Sequence, residues 1–438
     1  MKEIANDLIV EKAVLVGLEL QRDQPGQLQY SMEELASLAD TAGATVVRTL
    51  MQKRDRPDSA TLIGAGKAAE VAEVCREEDA GLVVVDREIS PAQARNLEKI
   101  CEVKVIDRTQ LILDIFARRA RTKEGKLQVE LAQLEYLLPR LTGRGTELSR
   151  LGGGIGTRGP GETKLEVDRR RIRDRVADLR RELEEVRKHR GILRQGRKAV
   201  PFPLVALVGY TNAGKSCLLN KLTGAEVLVE DKLFATLDPT TRRVVLPNNE
   251  TILLSDTVGF IQNLPHHLVA AFRATLEEVV EADLLLHVAD GSHPNLDAQV
   301  KAVNKVLDSL GAGDKPAILV YNKMDLLQGA AGDDLGLKPP VPPSPGRDER
   351  VVSISARTGK GIDELLNAVA HLLAAGRARH YFFIPYASSN LLSLLHEKGR
   401  VLKEEHGPGG IALEVDIDTV WARRVEARLQ PARAEDNQ

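Results

Sequence analysis

The stretch VALVGYTNAGKSCLLNKL, residues 205–222, most constrains what this chain can fold into. An apolar run is followed by G-x-x-x-x-G-K-S and then by a helix-forming run, which predicts a strand, a phosphate-binding loop and a helix. Gly209 and Gly214 let the backbone curl so that successive N–H groups surround phosphates. Lys215 is expected to reach the β- and γ-phosphates, and Ser216 to bind Mg²⁺. The stretch therefore predicts a nucleotide-binding α/β domain.

Three further motifs follow, each at the end of a predicted strand. In LLSDTVG, Asp256 suits the Mg²⁺ shell and the Gly259 amide is placed to sense the γ-phosphate. In LVYNKMD, Asp325 can accept hydrogen bonds from N1 and N2 of guanine, which adenine does not offer in that arrangement. Asn322 and Lys323 of the same motif are expected to brace the base and the phosphate loop. In SISAR, the backbone of 355–357 can meet the guanine oxygen, so the four ordered motifs predict a GTPase.

A switch segment, DKLFATLDPTTRR, lies between the phosphate-binding loop and the LLSDTVG motif. A threonine in such a segment closes over the γ-phosphate and Mg²⁺ when GTP is bound. Thr236, Thr240 and Thr241 are all candidates, and spacing alone does not choose among them.

The rest of the chain divides into regions with different patterns. Residues 1–110 alternate β-rich and helical runs, which predicts a small α/β domain with a largely parallel sheet. Residues 199–376 predict the nucleotide-binding domain, in which the Pro-, Gly- and Asp-rich run 328–349 is interpreted as a flexible surface insertion. Residues 377–438 predict a small α+β domain.

Residues 111–198 carry apolar residues at heptad spacing in two runs, which predicts two long helices packed as an antiparallel hairpin. Their connection is rich in glycine and contains G-x-G-x-x-G at Gly154, Gly156 and Gly159. A dinucleotide site is not predicted there, because a leucine-rich helix precedes the pattern and Pro160 directly follows it. We expect a slim tip of the hairpin instead.

The second helix of this hairpin and its tip are locally basic in a chain with almost balanced charge, 61 Lys+Arg against 63 Asp+Glu. Glycine lets a backbone approach a surface that side chains would hold away. Arg144, Arg150 and Arg158 in the tip are therefore candidates for contact with folded RNA, which is recognised by shape and phosphate. The alternative is a solvated charged face, or a tip that packs on the protein's own nucleotide-binding domain.

Composition indicates a cytoplasmic protein. The three cysteines lie far apart without a C-x-x-C pair, so neither a disulfide framework nor a zinc site is predicted. The N-terminus has no signal-peptide pattern. The sequence contains no run of about 18 apolar residues, so integral membrane association is not predicted. A monomer is expected, and peripheral attachment to membranes is left as an option.

Over nearly its whole length the chain resembles the HflX family of ribosome-associated GTPases. The resemblance rests on GGGIGTRGPGET, LFATLDPTTR, DTVGFI, LPHHLVAAFRATLEEVVEADLLLHVAD and the GTPase motifs. It implies a two-part N-terminal region, a GTPase domain and a short C-terminal domain. It also implies binding to the large ribosomal subunit and its rRNA, and a part in splitting or rescuing stalled ribosomes. The insertion 328–349 departs from compact members of the family.

The resemblance assigns the switch pattern FATLD to Phe234–Asp238 and makes Thr236 the threonine that coordinates Mg²⁺. The candidate catalytic residues are Lys215, Thr236 and Gly259, and the candidate metal ligands are Ser216 and Thr236. The candidate nucleotide-binding residues are Gly209, Tyr210, Thr211, Asn212, Ala213, Gly214, Lys215, Ser216, Phe234, Ala235, Thr236, Leu237, Asp238, Asp256, Thr257, Val258, Gly259, Asn322, Lys323, Met324, Asp325, Ser355, Ala356 and Arg357.

Four residues near these motifs raise separate questions. Asn212 stands where related cation-dependent GTPases carry the asparagine that holds K⁺, so K⁺ is a candidate second cofactor. Phe260 follows D-x-x-G, where a glutamine often orients the attacking water, and its ring cannot do so. His266 and His267 are not assigned a catalytic role, since such pairs at a helix start more often cap the helix or face solvent.

Two alternative functions stay open from the residues alone. One is an NTP-dependent RNA-remodelling protein, in which the basic hairpin grips RNA. The other is a nucleotide-gated structural or membrane-peripheral scaffold. The sequence shows no lipidation motif and no basic amphipathic membrane helix, which argues against this alternative. A preference for GTP over ATP separates the GTPase from the first alternative.

Overall fold

The computed structural model of the chain describes residues 11–21, 23, 26–141, 164–198, 202–224, 233–261, 276–327, 350–375, 377–418, 422, 425, 426 and 429. Arg144, Arg150, Arg158, His266, His267 and the insertion 328–349 lie outside the described residues. The chain divides into two compact units. The first comprises Met1–Glu185, Glu230–Asp238 and Asn263–Thr275, and the second comprises Val186–Val229, Pro239–Gln262 and Leu276–Gln438.

The first unit contains a four-stranded parallel sheet in the order β2-β1-β3-β4. Its strands are β1 (Glu11–Leu20), β2 (Ala44–Arg54), β3 (Leu82–Val85) and β4 (Lys104–Asp107). Its connecting helices are α1 (Gln27–Thr41), α2 (Ala65–Glu77) and α3 (Pro91–Cys101). The sequence of β3, LVVV, is buried at every position, as expected of a strand covered on both faces. The predicted α/β fold with a parallel sheet is confirmed.

Two further helices of this unit are α4 (Arg108–Arg119) and α5 (Lys123–Arg140). The predicted domain boundary between residues 110 and 111 falls inside α4, because Asp107 at the end of β4 directly caps this helix by accepting from the Gln110 amide. The same buried carboxylate accepts from the Tyr136 hydroxyl at 2.8 Å and from the Arg140 guanidinium at 3.0 Å. Asp107 therefore ties α5 to the sheet.

A long helix, α6 (Lys164–Lys198), faces α5 through two ion pairs, Glu130–Arg175 and Glu135–Arg180. The partners advance in the same direction along both helices, whereas an antiparallel seam would pair them in opposite order. At these contacts the helices therefore differ from the arrangement predicted by the heptad spacing. A connection of 22 residues, 142–163, can span up to about 75 Å, so the chain length does not enforce an immediate reversal.

The second unit contains a six-stranded sheet in the order β10-β9-β8-β5-β7-β6. Its strands are β5 (Leu204–Gly209), β6 (Thr240–Val245), β7 (Thr251–Asp256), β8 (Leu284–Asp290), β9 (Ala317–Asn322) and β10 (Arg350–Ser353). All neighbours are parallel except β6, which runs antiparallel to β7. Parallel strands bring their carboxyl ends to one edge, where ligands of open α/β sheets bind.

The helices of this unit are α7 (Lys215–Thr223), α8 (Glu277–Glu281), α9 (Leu296–Ser309) and α10 (Ile362–Ala375). The sheet and these helices enclose a core in which Leu207, Leu286 and Val320 are fully or almost fully buried. The C-terminal part adds β11 (Arg377–Pro385), α11 (Ser389–Lys398), β12 (Gly399–Gly407) and β13 (Gly410–Asp418). These strands form an antiparallel sheet in the order β11-β13-β12. Among the described helices, none is long and apolar enough to cross a bilayer.

Candidate nucleotide site

The phosphate-binding loop lies between the end of β5 and the start of α7. Gly209 and Gly214 both have positive φ, 153° and 90°, which side-chain-bearing residues rarely adopt. A β-carbon at Gly209 would lie 2.0 Å from the Val288 carbonyl oxygen, and one at Gly214 would lie 2.3 Å from Nδ2 of Asn322. Only glycine fits at these two positions, as the G-x-x-x-x-G-K-S pattern predicts.

Lys215 begins α7 and is almost fully buried. Its ammonium group donates to the carbonyl oxygens of Gly209 at 3.1 Å and Tyr210 at 2.8 Å. Burial lowers the pKa of Lys215 to about 8, although the nearby Asp256 carboxylate acts in the opposite direction. The loop backbone thus holds a cation that has little access to water, an arrangement suited to binding an anion.

Two oxygen groups suited to Mg²⁺ meet beside the loop. Ser216 donates its hydroxyl proton to Oδ2 of Asp256 at 2.7 Å, and Asp256 is completely buried at the end of β7. A hydroxyl and a carboxylate are the hard oxygen donors that Mg²⁺ prefers, and this ion is usually held by one or two protein groups plus phosphate oxygens. The residues present therefore fit the metal that GTPases use.

The D-x-x-G segment after β7 packs directly against the loop. Phe260 accepts from the Thr211 amide at 2.7 Å and donates its own amide to the Gly209 carbonyl at 3.1 Å. A β-carbon at Gly259 would lie 2.8 Å from Cγ2 of Thr211 and 3.0 Å from Nζ of Lys215. The backbone of Gly259 can approach the phosphate loop only because it lacks a side chain.

Asn322, at the end of β9, joins two of the predicted motifs. Its Nδ2 donates to the Ala213 carbonyl at 2.9 Å, and its Oδ1 accepts from the Ala356 amide at 2.9 Å. This amide group therefore fixes the phosphate loop relative to the SISAR segment. The Ser355 amide also bonds within the protein, to the Lys360 carbonyl. The predicted contact of the 355–357 backbone with guanine thus has two of its three amides already used.

The carboxylate of Asp325 is oriented by the side chains of the SISAR segment. Ser355 donates to Oδ1 of Asp325 at 2.7 Å, and Arg357 donates to Oδ2. Burial acts to raise the pKa of Asp325, but these hydrogen bonds outweigh it and hold the pKa below its usual value. Asp325 is therefore an ionised acceptor at neutral pH, the form that a guanine N1–H and N2–H₂ pair requires.

One functional contact was missed by the sequence reasoning. Lys323 forms an ion pair with Asp290, at the end of β8, with a distance of 2.8 Å. Asp290 also accepts from the Ser292 hydroxyl and amide, so it holds the turn after its own strand. The acidic residue at the carboxyl end of the apolar run LLLHVAD was the available signal, since that edge of the sheet carries the other site residues.

The remaining predicted site residues fall into two groups. Thr211, Ala213, Thr257 and Val258 are buried beside the loop, and Tyr210 and Met324 contribute to the core. Thr240 and Thr241 lie in β6, whereas Phe234–Asp238 belongs to the first compact unit. Within that unit, Phe234 is buried and meets Phe116 of α4 edge to face, with ring centroids 4.7 Å apart. Thr236, in the same segment, therefore belongs to the first compact unit, whereas the phosphate-binding loop belongs to the second.

Three family models match the chain. They are described as GTP-binding GTPase N-terminal over residues 29–117, GTP-binding GTPase Middle Region over 119–197, and 50S ribosome-binding GTPase over 204–323. A solved structure of a GTP-binding protein from Sulfolobus solfataricus in complex with GDP aligns with 83% of this chain and 98% of that chain. The sequence identity in this alignment is 24% and the TM-score is 0.43.

Curated relatives match at higher identity. GTPase HflX of Caldanaerobacter subterraneus is 50% identical over 417 residues, which cover 95% of this chain and 93% of the relative. GTPase HflX of Escherichia coli is 44% identical over 423 residues, with 96% and 97% covered. These matches cover almost the whole chain and therefore extend over both compact units. The chain belongs to the GTPase HflX family.

Proposed function

We propose that this GTPase binds the large ribosomal subunit and acts in splitting or rescuing stalled ribosomes. The observation that carries the GTPase part is the convergence of four motifs, from β5, β7, β9 and the segment after β10, at one edge of the sheet. The ribosomal part is supported by the 50S ribosome-binding GTPase model over 204–323 and by relatives named GTPase HflX.

Within this proposal the residues have distinct roles in binding GTP. Lys215 contributes positive charge to the β- and γ-phosphates, and the glycine-rich backbone donates N–H groups to them. Ser216 and Asp256 would hold Mg²⁺, which would neutralise charge on the phosphates, and the family resemblance makes Thr236 a further candidate ligand. Asp325 accepts from guanine, while Ser355 and Asn322 keep the base-binding and phosphate-binding segments in register.

We further propose that Asn212 holds K⁺ beside the phosphates. Its backbone has φ 60°, and its side chain is exposed on the loop. A cation at this place would offset negative charge in the transition state, as an arginine finger does in other GTPases. GTP turnover measured in KCl and in NaCl tests this, with Asn212→Ala as the control that should lose any difference. Equal rates in the two salts would exclude the K⁺ site.

Co-sedimentation with purified ribosomal subunits tests the ribosomal role. The protein bound to a non-hydrolysable GTP analogue should pellet with the large subunit, and the GDP-bound protein should pellet less. Addition of GTP-loaded protein to intact ribosomes should then increase the subunit peaks in a sucrose gradient. Binding to the small subunit alone, or turnover of ATP in preference to GTP, would favour the RNA-remodelling alternative.

A further inference from the structure

The C-terminal sheet carries a concentration of exposed aromatic side chains. Tyr381 is 76% exposed, Phe383 56% and Tyr386 53%. Among the residues that the structure describes, these three are the exposed aromatic side chains. Aromatic residues make up only 3% of the chain, so three exposed ones close together are unusual for it. All three lie within six consecutive positions. We call Tyr381, Phe383 and Tyr386 the aromatic patch.

The fold explains why the patch faces outward. Along β11 the alternate residues Phe382 and Ile384 are buried against Leu395 of α11, so their neighbours Tyr381 and Phe383 lie on the opposite face of the sheet. Core packing therefore accounts for Phe382 but not for the aromatic residues on either side of it. Large exposed aromatics on a sheet face are a common feature of binding surfaces.

Glycine at the β12–β13 turn lets the backbone lie close to the rings of the patch. A β-carbon at Gly410 would lie 3.0 Å from Cζ of Phe383 and 2.5 Å from the Ile384 carbonyl oxygen. The Tyr386 hydroxyl donates to the Gly407 carbonyl at 2.9 Å, which fixes its ring beside the same turn. The rings of Phe383 and Tyr386 therefore lie next to exposed backbone at the β12–β13 turn.

The charges around the patch are paired with one another. Arg379 and the Tyr381 hydroxyl both contact Glu414, and Lys403 pairs with Glu405 at 2.6 Å. On this face of the sheet the three described cations Arg379, Arg400 and Lys403 are matched by three carboxylates, so the surface carries no excess of positive charge. Nucleic acid binding depends on cations that are available to phosphates. An uncharged protein segment fits this surface better than RNA does.

The chain itself contains such a segment. Residues 339–345, which lie outside the described residues, read PPVPPSP and hold five of the chain's 20 prolines without a charge. Proline-rich segments bind aromatic-lined surfaces at a small cost in conformational entropy. We propose that residues 339–345 bind the aromatic patch of the same chain.

The attachment point of the segment makes this contact reachable. Arg350, directly after the insertion, donates to Nδ1 of His371 at 3.0 Å, one turn before α10 ends at Ala375. From His371 to Tyr381 the path is about 6 Å of helix and about 20 Å of strand. Residues 345 and 339 can extend about 17 and about 38 Å from Arg350. Because the path length is the largest separation that the chain allows between His371 and Tyr381, the residues toward 339 can reach the aromatic patch.

Photo-crosslinking in the full-length protein tests the proposal. Benzoylphenylalanine replaces Phe383, and the matched control carries it at Val245, a 62% exposed residue of β6. We expect an intramolecular adduct from position 383 to the tryptic peptide 324–347, with fragment ions between 338 and 347. The adduct should be lost in Pro342→Ser/Pro343→Ser and should not form from position 245. An adduct to any other segment, one formed only between two chains, or no adduct would overturn the proposal.

A second measurement does not depend on replacing Phe383. Nitration of Tyr381 and Tyr386 is compared between the wild-type chain and Pro342→Ser/Pro343→Ser, with unchanged GTP binding as the check of folding. If the segment is bound for about two thirds of the time, nitration in the wild-type chain should be about threefold slower. Equal nitration rates would contradict the proposal.

Discussion

Thr122 donates its hydroxyl proton to Oδ1 of Asp238 at a distance of 2.5 Å, although 116 residues separate the two in sequence. Oδ2 of the same carboxylate accepts from the amides of Arg121 at 2.9 Å and Thr122 at 3.0 Å. Thr122 is also the N-cap of α5, where its hydroxyl accepts from the Gly125 amide. The last residue of the FATLD pattern therefore completes the start of a helix in the first unit.

Asp238→Ala should loosen this helix start. It removes an anion from the N-terminus of α5 together with three hydrogen bonds, which we expect to cost about 1–2 kcal/mol. Hydrogen exchange of the Arg121 and Thr122 amides should accelerate by about tenfold. Asp238→Asn, which keeps one acceptor oxygen, should give a smaller effect. Unchanged exchange in Asp238→Ala would show that these bonds do not hold the segment in solution.

Gly125→Ala tests the same contact from the side of the helix. A β-carbon at Gly125 would lie 2.6 Å from Oδ1 of Asp238. The methyl group should displace the carboxylate and reproduce the faster amide exchange, even though alanine favours the helix by about 1 kcal/mol. Gly66→Ala in α2 is the matched control, because a β-carbon there meets nothing within 4 Å. Slower exchange in Gly125→Ala would mean that propensity outweighs the contact.

The buried ammonium group of Lys215 predicts a specific pH dependence of stability without nucleotide. Its pKa falls from 10.5 to about 8 on folding. Between these values the unfolded chain binds a proton that the folded chain does not, so the free energy of unfolding rises with pH across this window. Below about pH 8 both states are protonated and the whole cost of burial applies.

Lys215→Met removes this cost, so its stability relative to the wild-type chain should be greatest at pH 7 and fall as the pH approaches 10.5. The change in the difference is at most about 3 kcal/mol. Denaturant midpoints measured across pH 7–10 check it, with Lys221→Met, an exposed lysine of the same helix, as the control. A difference that does not vary with pH would contradict the assignment.

The sequence predicted the phosphate loop more completely than it predicted the switch segment, for a physical reason. Gly209 and Gly214 are dictated by local backbone conformation and close approach, which a short pattern encodes. The position of Asp238 depends on Thr122 and Arg121, far away in sequence, and no local pattern reports such a pairing. Heptad leucines likewise predicted two long helices but not the direction in which Glu130 and Glu135 meet their arginine partners.

Ser355 should affect nucleotide affinity through Asp325, which its hydroxyl orients. Asp325→Asn should weaken GTP binding at least tenfold, about 1.4 kcal/mol, because an amide presents a donor where guanine also presents one. Ser355→Ala should give a smaller loss of about threefold, since Arg357 still contacts the carboxylate. Equilibrium titration with GTP and ATP measures both. Stronger binding of ATP than GTP to the wild-type chain would overturn the role given to Asp325.

Phe260 predicts slow intrinsic hydrolysis. Its ring is 2% exposed and has neither a donor nor an acceptor, so it cannot orient an attacking water. We expect turnover without ribosomes on the order of 10⁻³ per second or slower, as in GTPases that depend on a partner. Large ribosomal subunits should raise this rate. Fast turnover that ribosomes leave unchanged would contradict the prediction.

Substitution of Phe260 separates a missing catalytic group from a packing role. The backbone of Phe260 is fixed by Gly209 and Thr211, and its side chain points into the core. Phe260→Gln should therefore not raise intrinsic turnover, and burying the amide should lower stability by about 1–3 kcal/mol. Phe260→Leu preserves an apolar side chain and should keep the wild-type rate with a smaller loss of stability. If Phe260→Gln alone accelerated hydrolysis, the glutamine would have to reach the reacting water, and the packing described here would be wrong for the active state.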